Sequence, residues 1–154
     1  MRNADASQAF PKVDSSWKVG IVAASFYKKE TDALIASAKE CLLEAGIPAS
    51  NISVHPAAGS FEIPLVGEWL ASAKKVDALI GLGIIVQGET RHADRLAQES
   101  ARGLMDVQLK HGIPFAFEIL WVDDLAYAAA RGDKGREAAM AVLHSLAEKA
   151  RISA

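Results

Sequence analysis

GLGIIVQGETRHAD, residues 81–94, holds an abrupt change of pattern. The apolar run of residues 78–86 stops at Gln87-Gly88-Glu89-Thr90, and His92 stands where a helical spacing begins. An unbroken apolar run of this length predicts a strand covered on both faces, as in a parallel sheet. The turn behind it predicts that the strand's carboxyl end brings backbone N–H groups, a hydroxyl and an imidazole to one point.

The same reading extends outward in both directions. Residues 17–25, WKVGIVAAS, predict another buried strand, and from Glu30 the residues Ile35, Ala38, Leu42 and Ala45 recur at helical intervals until Gly46 and Pro48. Residues 51–55 predict a brief strand running into the turn-prone segment 56–60. Phe61-Glu62-Ile63-Pro64 predicts a helix start with proline in its tolerated first turn, followed by Leu65, Trp69 and Ala73 facing inward. The helix after residue 91 carries Leu96, Ser100, Gly103, Leu104 and Val107 and ends near His111-Gly112. Its small residues Ala97, Ser100, Ala101 and Gly103 imply close packing against the sheet or against another subunit.

Residues 114–120, PFAFEIL, predict a fourth strand, and the charge of Glu118 within it predicts an edge or an interface. A short helix over 125–131, a tight linker over 132–135 and an amphipathic helix over 136–151 follow, the last with Ala139, Val142, Leu143 and Leu146 inward. Strands alternating with helices predict an α/β three-layer sandwich on a four-stranded parallel sheet with right-handed crossovers. Residues 1–16 are polar, aperiodic and broken by Pro11, so a loose tail is expected, with residues 17–154 forming one domain.

Bulk properties narrow the function. The chain has 154 residues, enough for one domain with a real core and too few for two. Seventeen basic and nineteen acidic side chains give a formal charge of −2, which points to neither a nucleic acid nor an anionic membrane as partner. Cys41 is the only cysteine, which excludes an internal disulfide and a thiolate zinc cluster; beside Ala38, Leu42 and Leu43 it is expected to be buried and inert. No apolar run approaches a membrane span and no signal-peptide core is present, so a cytoplasmic protein is expected.

Ligands of open parallel sheets sit beyond the carboxyl ends of the strands. In the strand order 2-1-3-4 those ends bring together Phe26, residues 58–62 and residues 87–92. Gly88-Glu89-Thr90 suits an anion through unpaired amides, or Thr90 is an ordinary helix cap. Gly81 and Gly83 begin like a dinucleotide motif, but Val86 stands at the third glycine position and no Walker lysine follows. His92 is a candidate proton shuttle or a solvent-facing surface histidine. Phe26 and Phe61 suit stacking on a planar heterocycle or covering a helix end. Glu62 suits ligand hydroxyls or its own helix start; Arg131 and Lys134 flank the tight linker as ligands or as solvated charges. The four histidines lack metal-ligand spacing.

Four separated motifs add a further level: Ser60-Phe61-Glu62-Ile63-Pro64, Gly88-Glu89-Thr90-Arg91-His92, Glu99-Ser100-Ala101-Arg102-Gly103-Leu104 and Gly132-Asp133-Lys134-Gly135. In this order and spacing they resemble the lumazine synthase family, over about residues 17–150. The resemblance implies a flavodoxin-like fold, strand order 2-1-3-4, and condensation of 5-amino-6-(D-ribitylamino)uracil with 3,4-dihydroxy-2-butanone 4-phosphate in riboflavin biosynthesis. It implies no metal and no organic cofactor. Phe26 would stack on the pyrimidine, Ser60, Phe61 and Glu62 would hold the ribityl chain, and backbone groups of Ile85 and Val86 would read the uracil edge. Gly88, Glu89 and Thr90 would cradle the phosphate with Arg131, and His92 would move protons. Phe117, Arg131 and Lys134 would come from the neighbouring subunit of a homo-oligomer, a pentamer or an assembly of pentamers. A related archaeal-type riboflavin synthase, or a flavin-binding or shell-forming homologue without turnover, is the alternative.

The chain also departs from the family pattern. Ala57-Ala58 stands before Gly59 where valine-proline is common, Gln87 where arginine is frequent, and Trp121-Val122 where a threonine pair is usual. The linker after Arg131 is shorter than in members that form sixty-subunit shells, which implies a pentamer.

Overall fold

The computed structural model describes residues 8–154. Its elements in order are β1 (Val19–Ala24), α1 (Lys28–Glu44), β2 (Ile52–Ala57), α2 (Ile63–Ser72), β3 (Ala78–Val86), α3 (His92–His111), β4 (Phe115–Val122), α4 (Leu125–Ala129) and α5 (Lys134–Ser153). Short 3-10 turns, Ala49–Asn51 and Ser60–Glu62, precede β2 and α2. All strand pairs are parallel and the order is β2-β1-β3-β4. The alternation read from the sequence and the expected sandwich therefore both hold. Among the described residues no helix is long and apolar enough to cross a membrane.

Strand periodicity sorts the core onto two faces, because successive side chains point to opposite sides of the sheet. Val19, Ile21, Ala23, Ala78, Ile80, Leu82, Leu120 and Val122 meet Leu34, Ala38 and Leu42 of α1 and Ala139, Val142, Leu143 and Leu146 of α5. Val22, Leu79, Ile85, Phe115 and Ile119 meet Ile63 and Ala71 of α2 and Ala97, Leu104 and Val107 of α3. β1 and most of β3 are buried on both sides, as an internal parallel strand requires. β4 is an edge strand, as the charge at Glu118 predicts. Pro56 lies in β2, the opposite edge, where a missing N–H costs no ladder bond. Cys41 is fully buried, and burial pushes its thiol above the usual pKa, so it is the inert thiol expected.

One expected face is wrong. Leu65 and Trp69 are exposed, as is Ala73; the buried residues of α2 are Ile63, Gly67 and Ala71. IPLVGEWLAS is apolar nearly all round, so spacing alone does not select its inner face. Close approach selects it instead. A Cβ on Gly67 would lie 2.3 Å from the Phe115 ring, so this helix face is the one that reaches the sheet.

The small residues of α3 likewise serve packing within the chain. Buried Ser100 donates its hydroxyl to the Ser60 carbonyl at 3.2 Å, and a Cβ on Gly103 would stand 2.7 Å from Pro64. Gly81 and Gly83 have the same purpose on the sheet side: added Cβ atoms would meet Leu104 and Ile63 at 3.0 and 3.1 Å, and Ser60 Oγ at 2.7 Å.

The sequence reading assigns residues 1–16 to a tail, of which residues 1–7 lie outside the described residues. In the remainder, Val13 packs against the α1/α5 core, the Arg136 guanidinium sits 5.7 Å from the Phe10 ring centroid, and Asn51 Nδ2 donates to the Ser15 carbonyl at 3.1 Å.

The tightest contact is between α1 and α5. A Cβ on Gly135 would lie 2.0 Å from the Leu34 carbonyl oxygen and 2.3 Å from Ser37 Oγ, and backbone cannot step aside as a side chain can. Gly135→Ala is therefore expected to destabilise the fold by on the order of 1–3 kcal/mol or more, the usual range for overpacking. Chemical denaturation of the variant and the parent checks it; equal midpoints would refute the contact.

Candidate functional site

The site begins with an offset between two strands. β1 pairs with β3 only as far as Ala23 opposite Leu82, after which Ser25 turns away and donates its N–H to the Ala57 carbonyl at 3.0 Å. β3 continues to Val86, still paired with β4 through Ile85 opposite Trp121 and Val86 opposite Val122. On the β1 side, the backbone of residues 84–86 consequently outruns its partner and borders a crevice of about 690 Å³.

Phe26 is held over this crevice by a compact turn. Ser25 Oγ also donates to the Ala57 carbonyl at 2.8 Å, and Thr31 Oγ1 donates to the Phe26 carbonyl at 3.1 Å. Tyr27 closes the turn in the left-handed region at φ 54, ψ 56. A non-glycine residue there costs on the order of 1–3 kcal/mol. The Phe26 ring is 63% exposed as a result, its face open for stacking.

The 3-10 turn Ser60–Glu62 supplies the opposite wall. Ser60 is buried, fixed from below by the Ser100 hydroxyl and admitted by the bare Gly83 beneath it. Phe61 is 61% exposed. A Cβ on Gly59 would come within 3.2 Å of Glu62 Oε2 and 3.3 Å of the Phe26 ring, so the glycine is what lets these side chains converge.

At the end of β3 the Gln87 N–H donates to the Val122 carbonyl at 2.8 Å, and the chain then leaves the ladder. The N–H groups of Gly88, Glu89 and Thr90 find no acceptor among the described residues. Thr90 Oγ1 accepts from the His92 N–H at 3.3 Å, so its hydroxyl does cap the first turn of α3, although the cap position itself is Arg91. Gly88, Thr90 and His92 line the crevice; Glu89 is exposed beside it. The loop thus presents unpaired amides and the positive end of a twenty-residue helix to whatever occupies the crevice.

Sequence reading places Phe26, Ser60, Phe61, Glu62, Ile85, Val86, Gly88, Thr90 and His92 at one site, and all nine line the crevice. Tyr27, Arg95, Leu96 and Glu99 line it as well without being expected there. The signal for the last three is helical spacing: they follow His92 by three, four and seven residues and so share its face of α3. Glu99 is held well below the usual carboxylate range by the Arg102 guanidinium, 2.6 Å away.

Phe117, Arg131 and Lys134 do not line this crevice. Phe117 stands on edge strand β4, 44% exposed; Arg131 is exposed in the turn after α4; Lys134 opens α5 and donates to both Glu137 oxygens at 2.8 and 2.9 Å. Of the three, Lys134 stands close enough to Glu118 of β4 for their charges to interact.

The model of the 6,7-dimethyl-8-ribityllumazine synthase family matches residues 16–150. The chain belongs to this family. A member from Cytophaga hutchinsonii is 41% identical over 139 residues, covering 87% of each chain. One from Levilactobacillus brevis is 40% identical over 88% of this chain and 90% of its own length, and one from Thermococcus kodakarensis is 38% identical over 82% of each. Among the described residues of this lumazine synthase family member, no group of three or more His, Cys, Asp or Glu side chains is placed to hold a metal ion.

The edge carrying Lys134 has its own electrostatics. Glu118 points to the α5 side of β4; burial pushes its carboxyl up to about 7, Glu137 adds to the rise, and Lys134 opposes it. The Lys134 ammonium is held above its usual range, chiefly by its hydrogen bonds to Glu137. An acid with a raised folded-state pKa keeps a proton that the unfolded chain has released, so stability falls as pH rises from about 4.5 to about 7 and stays lower above that. Glu118→Gln, which needs no proton, is expected to raise the thermal unfolding midpoint more at about pH 8 than at about pH 5. Equal shifts at both values would show that Glu118 is not buried as a strained acid.

Proposed function

We propose that this crevice is where the chain synthesises 6,7-dimethyl-8-ribityllumazine, joining 5-amino-6-(D-ribitylamino)uracil to 3,4-dihydroxy-2-butanone 4-phosphate. The observation that carries the reading is convergence. Two open aromatic faces, a polar wall, an unpaired strand edge, an amide-lined loop and an imidazole border one space of a size for both reactants.

Each part answers a need of the reaction. The pyrimidine stacks on Phe26, and its donors and acceptors meet the free backbone edge of Ile85 and Val86. Ser60, Phe61 and Glu62 hold the ribityl chain. Gly88, Glu89 and Thr90 bind the phosphate through backbone N–H groups at the α3 terminus. The substrate amine adds to the ketone, and the carbinolamine loses water to give an imine. His92 sits where it can move protons in these steps and in the phosphate elimination that follows. Elimination leaves an enol at the carbon that bore the free hydroxyl. It takes up a proton at the terminal carbon to become a ketone, and the second amine closes the ring on that new carbonyl with loss of another water. Holding two reactants in this order supplies a large share of the rate.

Arg131, Phe117 and Lys134 act in the crevice of the next subunit of a homo-oligomer, proposed as a pentamer. Exposed apolar surface supports the assembly. The pairs Leu65 with Trp69 on α2 and Met105 with Leu109 on α3 lie bare on one side of the fold, and Phe117, Trp121 and Tyr127 lie bare at the β4 edge. Two different apolar surfaces suit head-to-tail contacts that close a ring.

Mixing purified protein with the two substrates, and following lumazine absorbance and phosphate release, tests the activity. Turnover no faster than the spontaneous reaction, with lumazine still bound, would leave a binding protein instead. His92→Ala is expected to slow turnover by one or two orders of magnitude, within the roughly 10²–10⁴-fold span of general acid–base catalysis and lessened by the share due to positioning; an unchanged rate would remove His92 as proton shuttle. Arg131→Ala should chiefly weaken use of the phosphate substrate. Co-assembly of the Arg131→Ala and His92→Ala chains should raise activity above that of either variant alone, because some interfaces then pair two intact residues. Failure to regain any would place Arg131 and His92 in separate sites or in the same chain's site.

A further inference from the structure

The side chain of Gln87 connects the loop to the sheet edge. Its Nε2 lies 2.9 Å from the Gly88 carbonyl and 3.3 Å from the Thr90 carbonyl, and its Oε1 lies 2.9 Å from Trp121 Nε1. The indole N–H is a donor only, so it fixes which end of the amide faces it: Oε1 accepts from Trp121, and the NH₂ is left to donate to the two loop carbonyls. Trp121 belongs to β4, in register with Ile85, and the Gln87 N–H closes the same ladder at Val122.

The consequence follows from peptide geometry. In a trans peptide the C=O and the following N–H point in opposite directions. Drawing the Gly88 and Thr90 carbonyls toward Gln87 therefore turns the N–H groups of Glu89 and Arg91 away from it. We propose that Gln87 is a positioning residue that holds the Gly88–Thr90 loop with the Glu89 amide, and that of Arg91 beside it, turned outward for the phosphate, and that Trp121 acts through Gln87 by fixing its amide. The inference rests on the reading of this loop as the phosphate site. Without Gln87 the loop carbonyls are free to rotate toward the anion and repel it. Without the Trp121 donor the Gln87 side chain loses its anchor to β4 and is free to swing away from the two loop carbonyls. The relay extends the binding site by two side chains that need not touch substrate, and it ties phosphate affinity to an edge strand of the sheet.

Three variants test it: Gln87→Ala, Trp121→Phe, which keeps the ring and loses only the donor, and the double substitution. Each is measured for KM of the phosphate-bearing substrate, KM of the ribitylaminouracil, kcat, and competitive inhibition by inorganic phosphate, with the assembly's mass and unfolding midpoint as controls. Loss of one or two hydrogen bonds predicts that Gln87→Ala raises the phosphate-substrate KM and the phosphate inhibition constant together by about five- to thirtyfold, and Trp121→Phe by about three- to tenfold. The uracil KM should move by less than about twofold, and the double variant should be no worse than Gln87→Ala alone, as expected of residues acting in series. Inorganic phosphate inhibiting the parent and Gln87→Ala alike would overturn the relay while leaving the loop as the phosphate site. Additive losses in the double variant would overturn the action of Trp121 through Gln87. Inorganic phosphate failing to compete with the phosphate-bearing substrate in the parent itself would overturn the phosphate reading and the relay with it.

Discussion

Strand β3 runs on after β1 has turned aside, and the crevice depends on that offset. A parallel strand flanked on both sides has no backbone group to spare, and one that outlasts a single neighbour keeps its order from the other. β4 supplies that order, pairing Ile85 with Trp121 and Val86 with Val122. The free edge is therefore rigid as well as unpaired. The helix start beyond it adds unpaired amides, and the turn after β1 swings Phe26 across the gap. Nothing in the site is built on a long unsupported loop.

Close packing beneath the crevice fixes its walls. Gly83 leaves room for Ser60, Ser100 holds the Ser60 carbonyl, and Gly103 lets Pro64 settle against α3. The wall carrying Ser60–Glu62 is thereby tied to the sheet and to the helix that carries His92. Polar groups that border the crevice are positioned by small residues packed beneath it. The strained backbone at Tyr27 belongs to the same scheme, because the cost of its conformation is offset by the tertiary contacts around it and returns an aromatic face open to the crevice.

Most of the fold was legible along the chain because buried strands and amphipathic helices each have a period. β3 was recovered to the residue at both ends, and the inward residues of α5 were all correct. The inner face of α2 was not legible. Its apolar residues encircle the helix, and only the contact of Gly67 with Phe115 in three dimensions shows which side meets the sheet. GLG in β3 shows the same limit: its glycines resemble a phosphate motif in sequence and serve helix packing in the fold.

For the site, the sequence by itself determined the residue types and their clustering at strand ends, because chain connectivity places a strand's last residues beside the turn that follows. It also carried the family, through motifs too widely separated to match in register by accident. Only the tertiary structure decided which groups share one space. Arg95 and Glu99 join His92 through the helical turn, Phe117, Arg131 and Lys134 fall outside that space, and the Gln87 amide meets a tryptophan thirty-four residues away. Contacts of that span depend on strand order and register, which no local pattern in the chain encodes.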